Sequence, residues 1–146
     1  ELVLDFHTTT AEQLDLLITA DRNNEVVQRF INASVIKDNL VVSPLNDITT
    51  VAQNFVAYEV SNSRLNDNLY EQICTDIERY LDGKMIDQER TFYKMIGKIL
   101  PEEEKSIDGL ENFVYNDELQ AIPSFLGSKA YKQDGTYAGF KLEKLV

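Results

Sequence analysis

The sequence contains one histidine, His7, and one cysteine, Cys74, so its inventory of catalytic side chains is small. One imidazole cannot form a two-histidine metal site, and one thiol excludes both an intrachain disulfide and a zinc site built from cysteines. A nucleophilic pair of His7 and Cys74 would require the fold to join the first loop to the middle of a predicted helix. We therefore predict no catalytic residue and no metal ligand. Cys74 is interpreted as a small residue at the edge of the core, and His7 as a loop or pre-cap residue.

Carboxylates are so numerous that no two of them stand out as a catalytic pair. Glu71 and Glu78 could flank a magnesium ion or act as acid and base, if the fold brought them into one cleft. The same holds for Asp87 and Glu89. The six glycines lack the spacing of phosphate-binding loops, and no calcium loop with a central glycine is present. We predict no cofactor, and a carboxylate-based, metal-dependent enzyme is kept as an alternative.

The acidic charge is the clearest chemical property of the chain. It has 25 Asp and Glu against 14 Lys and Arg, a net charge of -11. Up to Ser128 there are 23 acidic and 10 basic residues, a net charge of -13, whereas the last 18 residues carry +2. Summed charge governs association and solubility rather than fold. It predicts a protein partner with a basic surface.

The leading functional hypothesis is a non-catalytic, acidic protein-binding module. A sharper form of it is an inhibitor or decoy that imitates nucleic-acid phosphates and occupies a basic, nucleic-acid-binding surface of its partner. A structural or assembly protein that forms a homodimer through its helices is the other alternative. The residues predicted to contact the partner are Glu71, Glu78, Asp82, Glu102, Glu103 and Glu104.

Two basic features contrast with this acidic body. Arg90, Lys94 and Lys98 recur every four residues and predict a basic stripe on one helix face. Near the end of the chain, aromatic rings alternate with lysines, a pattern that can hold single-stranded nucleic acid. The net charge of the body disfavours direct nucleic-acid binding. The tail residues predicted to make contacts are Tyr131, Lys132, Tyr137 and Lys141.

The elements that would position these residues are mostly predicted to be helical. Alternation over Leu2 to Phe6 predicts a short strand, and the segment from Val35 to Val42 predicts a strand or a very short hairpin. Helices are predicted after a capping box at Thr10, after an N-cap at Asp21, and through most of residues 47–122. The ranges predicted in that middle part are about 47–60, 65–81, 87–100 and a helix starting at Pro101.

At the end of the chain, Asp134-Gly135 between alternating segments predicts a β-hairpin. The fold class is therefore α+β, mainly helical: a body of about five or six helices, with a small antiparallel sheet built from the N-terminal strand and the C-terminal hairpin. Residues 1–128 form the acidic body, and residues 129–146 form the hairpin, packed on the same single domain. No apolar run could cross a membrane and no leader is evident, so we predict a cytoplasmic protein.

Overall fold

The computed structural model describes residues 1–42, 53–130 and 135–146. Within these residues the fold consists of a seven-stranded sheet and three α-helices. In chain order the elements are β1 (Val3–Thr9), β2 (Asp15–Thr19), α1 (Glu25–Ala33), β3 (Asp38–Val41), β4 (Phe55–Ser61), α2 (Asp67–Leu81), β5 (Thr91–Ile99), α3 (Pro101–Ser106), β6 (Ile122–Ser124) and β7 (Gly139–Leu145).

The sheet is mixed, and its strand order is β1-β4-β2-β3-β5-β7-β6. The pairs β1/β4, β2/β3 and β3/β5 are parallel, whereas β2/β4, β5/β7 and β6/β7 are antiparallel. The prediction of a mainly helical protein with five or six helices is therefore wrong. The N-terminal strand exists as β1, but its partner is β4 and not a C-terminal hairpin.

Three predicted helices correspond to strands in the interior of the sheet. The segment predicted to form a helix after Thr10 contains β2. In this strand Leu16 and Leu17 point to opposite faces, and both are fully buried. The last part of the helix predicted from Asp47 is β4; residues 43–52 lie outside the described residues. The helix predicted over 87–100 contains β5. β2 and β4 are buried on both faces, and the apolar run of such a strand fits a helical period as well as a strand.

The prediction of a C-terminal hairpin is also wrong. Lys129 and Ala130 are not in a strand, and residues 131–134, which include the first residue of the predicted turn, are outside the described part of the chain. The final strand, β7, instead pairs with β5 on one side and with β6 on the other. The helix predicted from Pro101 forms as α3, which is short and ends at Ser106.

Two predicted helices are confirmed. α1 carries the expected apolar stripe, although its N-cap is Asn24 rather than Asp21: the Asn24 side chain accepts hydrogen bonds from two backbone N–H groups of the first turn. α2 begins after the N-cap Asn66 and ends before Gly83, whose φ of 68° is the left-handed conformation that glycine adopts readily. Among the described residues, no helix is long and apolar enough to span a bilayer.

The sheet separates two layers of core. On one face, α1 and α2 pack against β1, β2 and β4, around Phe30 and Tyr58. On the other face, Leu14 and Leu16 pack with residues from β3, β5, β7 and the segment around Phe125. Successive residues of a strand point to opposite faces, so consecutive residues of β4 enter different environments.

Candidate functional site

Three ionisable side chains come together where β1 and β4 lie side by side. The parallel register places His7 next to Glu59 and Asp5 next to Ala57. Because side chains alternate along a strand, Asp5, His7 and Glu59 share the face opposite the helices. Leu16 of β2 registers with Glu59 from the other side and belongs to the buried cluster of that face. We call Asp5, His7 and Glu59 the open cluster.

The imidazole of His7 is held by Asp5. His7 Nε2 lies 2.5 Å from Asp5 Oδ2, and the two side chains are 57% and 33% exposed. A carboxylate in contact with one ring nitrogen fixes the orientation of the ring. His7 is therefore an oriented imidazole that solvent can reach, and not the loop or pre-cap residue predicted from the sequence.

Glu59 is half-buried, and its surroundings alter its acidity. Burial raises the pKa of its carboxyl group above the ordinary value, the neighbouring imidazole of His7 lowers it, and the negative charge of Asp5 raises it; the net direction is upward. A carboxyl group with a raised pKa exchanges protons closer to neutral pH, which suits a general base or acid. A perturbed carboxyl group beside an oriented imidazole is a candidate functional site.

Metal binding is the other chemistry to consider for these donors. Histidine nitrogen and carboxylate oxygen are both zinc ligands, and a catalytic zinc ion is usually held by three protein side chains. Over residues 1–42, 53–130 and 135–146, no group of three or more His, Cys, Asp or Glu is arranged to hold a metal ion. Asp5, His7 and Glu59 therefore do not form such a group.

A cavity of about 320 Å³ lies at the carboxyl end of β4, and Ser61, two residues beyond Glu59, lines it. Arg64 borders this cavity and forms an ion pair with Asp15; its second nitrogen donates a 3.0 Å hydrogen bond to Gln72 Oε1. A second cavity of about 290 Å³ shares Asp15 and Arg64. The first cavity therefore lies where β4 ends and where β2 and β3 begin, at Asp15 and Asp38. The other residues that line the first cavity are Gln13, Leu14, Asp38, Ser63 and Phe113.

Directly behind the open cluster, on the helix face of β4, lies a second group of polar side chains centred on Asp76. Asp76 is fully buried, and its Oδ2 accepts hydrogen bonds from Ser34 Oγ and Tyr58 OH, each at 2.7 Å. Its Oδ1 accepts from Arg79 Nη1 at 2.9 Å and from the Val35 backbone N–H at 3.3 Å. We call this group the closed cluster. It ties α1, α2 and β4 together and is inaccessible to a substrate.

The acidic residues predicted to contact a partner occupy two separate helices. Glu71 and Glu78 are exposed on α2, and Asp82 at its end pairs with Lys84 at 2.8 Å. In α3, Glu103 accepts a 2.9 Å hydrogen bond from the Leu100 backbone N–H, and this bond, with Lys141 at 2.7 Å, lowers its pKa. The exposure of Glu71, Glu78 and Asp82 is compatible with a partner contact, which stays a prediction. Glu102 is exposed, and Glu104 is half-buried.

The basic stripe does not lie on a helix. Arg90 precedes β5 and donates to the backbone carbonyls of Ile36 at 2.6 Å and Asn32 at 3.1 Å, so it stabilises the end of α1. Lys94 and Lys98 are on β5: Lys94 pairs with Glu143 at 2.5 Å, and the Lys98 ammonium lies 4.3 Å from the centre of the Tyr137 ring. All three cations therefore have structural partners within the sheet region.

Two of the four residues of the predicted tail contact belong to the described part of the chain. Tyr131 and Lys132 fall outside the described residues. Tyr137 packs against Phe140, with ring centres 5.2 Å apart, and Lys141 is the partner of Glu103 on α3. The described half of the tail contact is thus part of the packing around β7.

Sequence reasoning missed the open cluster although one signal was present. In the run Phe55-Val-Ala-Tyr-Glu-Val-Ser61, Glu59 is the single charged residue among buried ones. A charged residue in an otherwise buried strand requires a compensating environment and often marks a site. Reading this segment as a helix removed that signal, and nothing in the sequence indicated that β1 would lie beside it.

The comparisons with known proteins place the fold. No family model and no curated protein matches the sequence. Among solved structures, murine aminoacylase 3 matches with a TM-score of 0.63 and 18% identity, over 97% of this chain and 62% of that chain. A point mutant of that protein matches with a TM-score of 0.63 and 16% identity, over 97% and 61%. The succinylglutamate desuccinylase from Chromobacterium violaceum matches with a TM-score of 0.63 and 13% identity, over 98% and 53%.

At these identities the likeness shows the fold, and the chain spans 53% to 62% of the length of these three structures. The interpretation as a non-catalytic binding module, inhibitor or decoy is contradicted, because the structures that share the fold are enzymes. The chain has the sheet-rich fold of an aminoacylase and a succinylglutamate desuccinylase, with an oriented histidine and a perturbed glutamate on two adjacent strands.

Proposed function

We propose that this chain carries part of a hydrolase site that removes an acyl group from an amino nitrogen. The single observation that carries the proposal is the open cluster, in which Glu59 and the Asp5–His7 pair meet on one face. The names of the structures that share the fold, an aminoacylase and a desuccinylase, supply the reaction class. The proposed substrates are N-acyl amino acids.

Glu59 is the proposed general base. Its carboxylate takes a proton from a water molecule as the water oxygen bonds to the acyl carbon, forming a tetrahedral intermediate. The carbon–nitrogen bond then breaks, and the proton held by Glu59 passes to the leaving amine. The products are a carboxylic acid and an amine, and Glu59 returns to its ionised form. A pKa raised by burial suits both proton transfers.

His7 is proposed to position the reacting groups by hydrogen bonding. Asp5 fixes the ring through the 2.5 Å contact at Nε2. A ring held in this way offers its second nitrogen, Nδ1, as a hydrogen-bond partner for the attacking water or the acyl oxygen. The cavity beside Ser61 and Arg64 is the proposed place for the rest of the substrate.

The test uses the complete protein in which these 146 residues occur. N-acetyl amino acids and N-succinylglutamate are offered as substrates, and the released amine is measured. Because histidine and carboxylate are also zinc donors, each assay is run with a chelator and with added Zn²⁺. The variant is Glu59→Gln, which preserves size but cannot accept a proton. The matched control is Glu71→Gln, on the exposed face of α2.

We expect Glu59→Gln to lower kcat by about 10²-fold or more, with a small change in KM, because the carboxylate acts in proton transfer. Glu71→Gln should leave both constants unchanged. Hydrolysis that survives Glu59→Gln at full rate would contradict the role of Glu59. Absence of hydrolysis for every N-acyl substrate, with and without Zn²⁺, would contradict the reaction class.

A further inference from the structure

The two edges of the sheet differ in how they are protected. β1 forms one edge, and among the described residues it has a partner on one side only, β4. It is seven residues long, its register with β4 is uninterrupted, and its sequence from Val3 to Thr9 contains no proline. A long, regular edge strand presents a row of backbone N–H and C=O groups that another strand can pair with.

The opposite edge of the sheet has features that prevent pairing with a further strand. β6 is three residues long and contains Pro123, which has no N–H group to donate. Short edge strands and edge prolines are the devices by which proteins prevent further pairing. Within residues 1–42, 53–130 and 135–146, the edge at β6 is therefore protected and the edge at β1 is open.

Apolar side chains on β1 are also more exposed to solvent than is favourable for apolar groups. Phe6 is 50% exposed, although one side of its ring stacks on Tyr58 with 5.4 Å between ring centres. Leu4, two residues earlier on the same face, is half-buried. An additional strand beside β1 would cover this face and satisfy the backbone groups of the edge together.

We infer that the open edge of β1 is paired, in the complete protein, by a further strand supplied by polypeptide outside these 146 residues. The length of the related structures supports this occupant, since only 53% to 62% of each of their chains is matched by this chain. A second copy of the chain is the competing occupant. The inference rests on the topology of the sheet and does not depend on the proposed reaction.

The alternation of β1 specifies what this strand must contain. Beside Phe6 it must place an apolar side chain, and beside Asp5 and His7, on the other face, polar side chains. Neighbouring side chains on paired strands lie about 4.5–5.5 Å apart. The added strand would therefore contribute groups to the open cluster.

Hydrogen–deuterium exchange of the β1 amides tests the inference without relying on activity. The 146-residue chain and the complete protein are compared by mass spectrometry, and the mass of each is measured by light scattering. In the 146-residue chain the β1 amides that do not bond to β4 should exchange within seconds. In the complete protein, as a monomer, they should exchange at least 100-fold more slowly. The amides of β6 serve as the control and should exchange equally in both.

Four results would overturn the inference. Slow exchange of all β1 amides in the monomeric 146-residue chain would mean that a segment of this chain already covers the edge. Protection that appears only in a dimer would assign the edge to a second copy. Equally fast exchange in both proteins, or a complete protein no longer than these 146 residues, would mean that the edge stays open.

Discussion

Tyr58 and Glu59 are consecutive residues of β4, yet they belong to clusters of opposite character. Tyr58 faces the helices and donates to Asp76, which is fully buried and accepts hydrogen bonds from four groups. Glu59 faces the other side, where it is half-buried beside the exposed His7. Asp76, the centre of the closed cluster, is shielded from water, whereas His7 of the open cluster is in contact with it.

The difference shows how one fold accommodates buried carboxylates for two purposes. A charge removed from water is tolerated when hydrogen bonds and an opposite charge replace the lost hydration, as Arg79, Ser34 and Tyr58 do for Asp76. Glu59 is only partly compensated, so its ionised form is disfavoured and the pKa is raised. We therefore assign stability to the closed cluster and reactivity to the open one.

The largest effect on stability is expected when the acceptor at the centre of the closed cluster is removed. Asp76→Ala should lower the free energy of unfolding by about 3–5 kcal/mol, because it leaves Arg79, the Val35 N–H and the buried hydroxyl groups of Ser34 and Tyr58 without their acceptor. Urea titration followed by circular dichroism measures this loss. Asp82→Ala is the control: Asp82 is exposed at the end of the same helix, and its replacement should cost less than about 0.5 kcal/mol. Equal losses in the two variants would refute the distinction.

An intermediate effect is expected when one donor of the closed cluster is removed. Tyr58→Phe deletes the hydroxyl group that donates to Asp76 and should lower the free energy of unfolding by about 1.5 kcal/mol. Tyr93→Phe is the matched control. Its hydroxyl donates to Asp38 at 3.0 Å in a partly buried position, and the expected loss is smaller. A greater loss for Tyr93→Phe than for Tyr58→Phe would argue against a special role for the closed cluster.

The smallest effect on stability, and one of opposite sign, is expected at the open cluster. The pKa of Glu59 in the folded protein is raised above the ordinary 4.5, so the folded state binds this proton more tightly than the unfolded state. Wild-type stability should therefore fall, relative to Glu59→Gln, as the pH rises from 4.5 through the folded pKa. At pH 7 the variant should be more stable by less than about 1 kcal/mol, since Glu59 is only half-buried. Thermal unfolding of both proteins at pH 4 and pH 7 checks the sign.

The part of the fold that could be predicted from sequence is the part with local signals. The helix from Asp67 to Leu81 has apolar residues every four positions and a glycine at its end, and it forms as expected. The strand Val3–Thr9 alternates and forms as well. Leu16 and Leu17, by contrast, are buried on both faces of the sheet, and their run has no period that separates strand from helix.

The candidate site was less predictable than the fold. Asp5 and His7 are close in sequence, but Glu59 lies 52 residues from His7, and only the parallel register of β1 with β4 brings them together. Neither the composition nor the spacing of carboxylates specifies that register. The carboxylates chosen from sequence, such as Glu71 and Glu78, are exposed on α2, away from the β1/β4 face.

By itself, the sequence determined the acidic charge, the first strand, two helices and the glycine that ends the second of them, because these depend on composition or on contacts between residues a few positions apart. Tertiary structure alone decided that the apolar runs at 15–19 and 55–61 are strands. It also decided that Tyr58 and Glu59 face different sides, one toward buried Asp76 and one toward His7. These outcomes depend on which strands become neighbours, and strand pairing joins residues that are far apart in the sequence. A strand buried on both faces has no alternating pattern that would identify it locally.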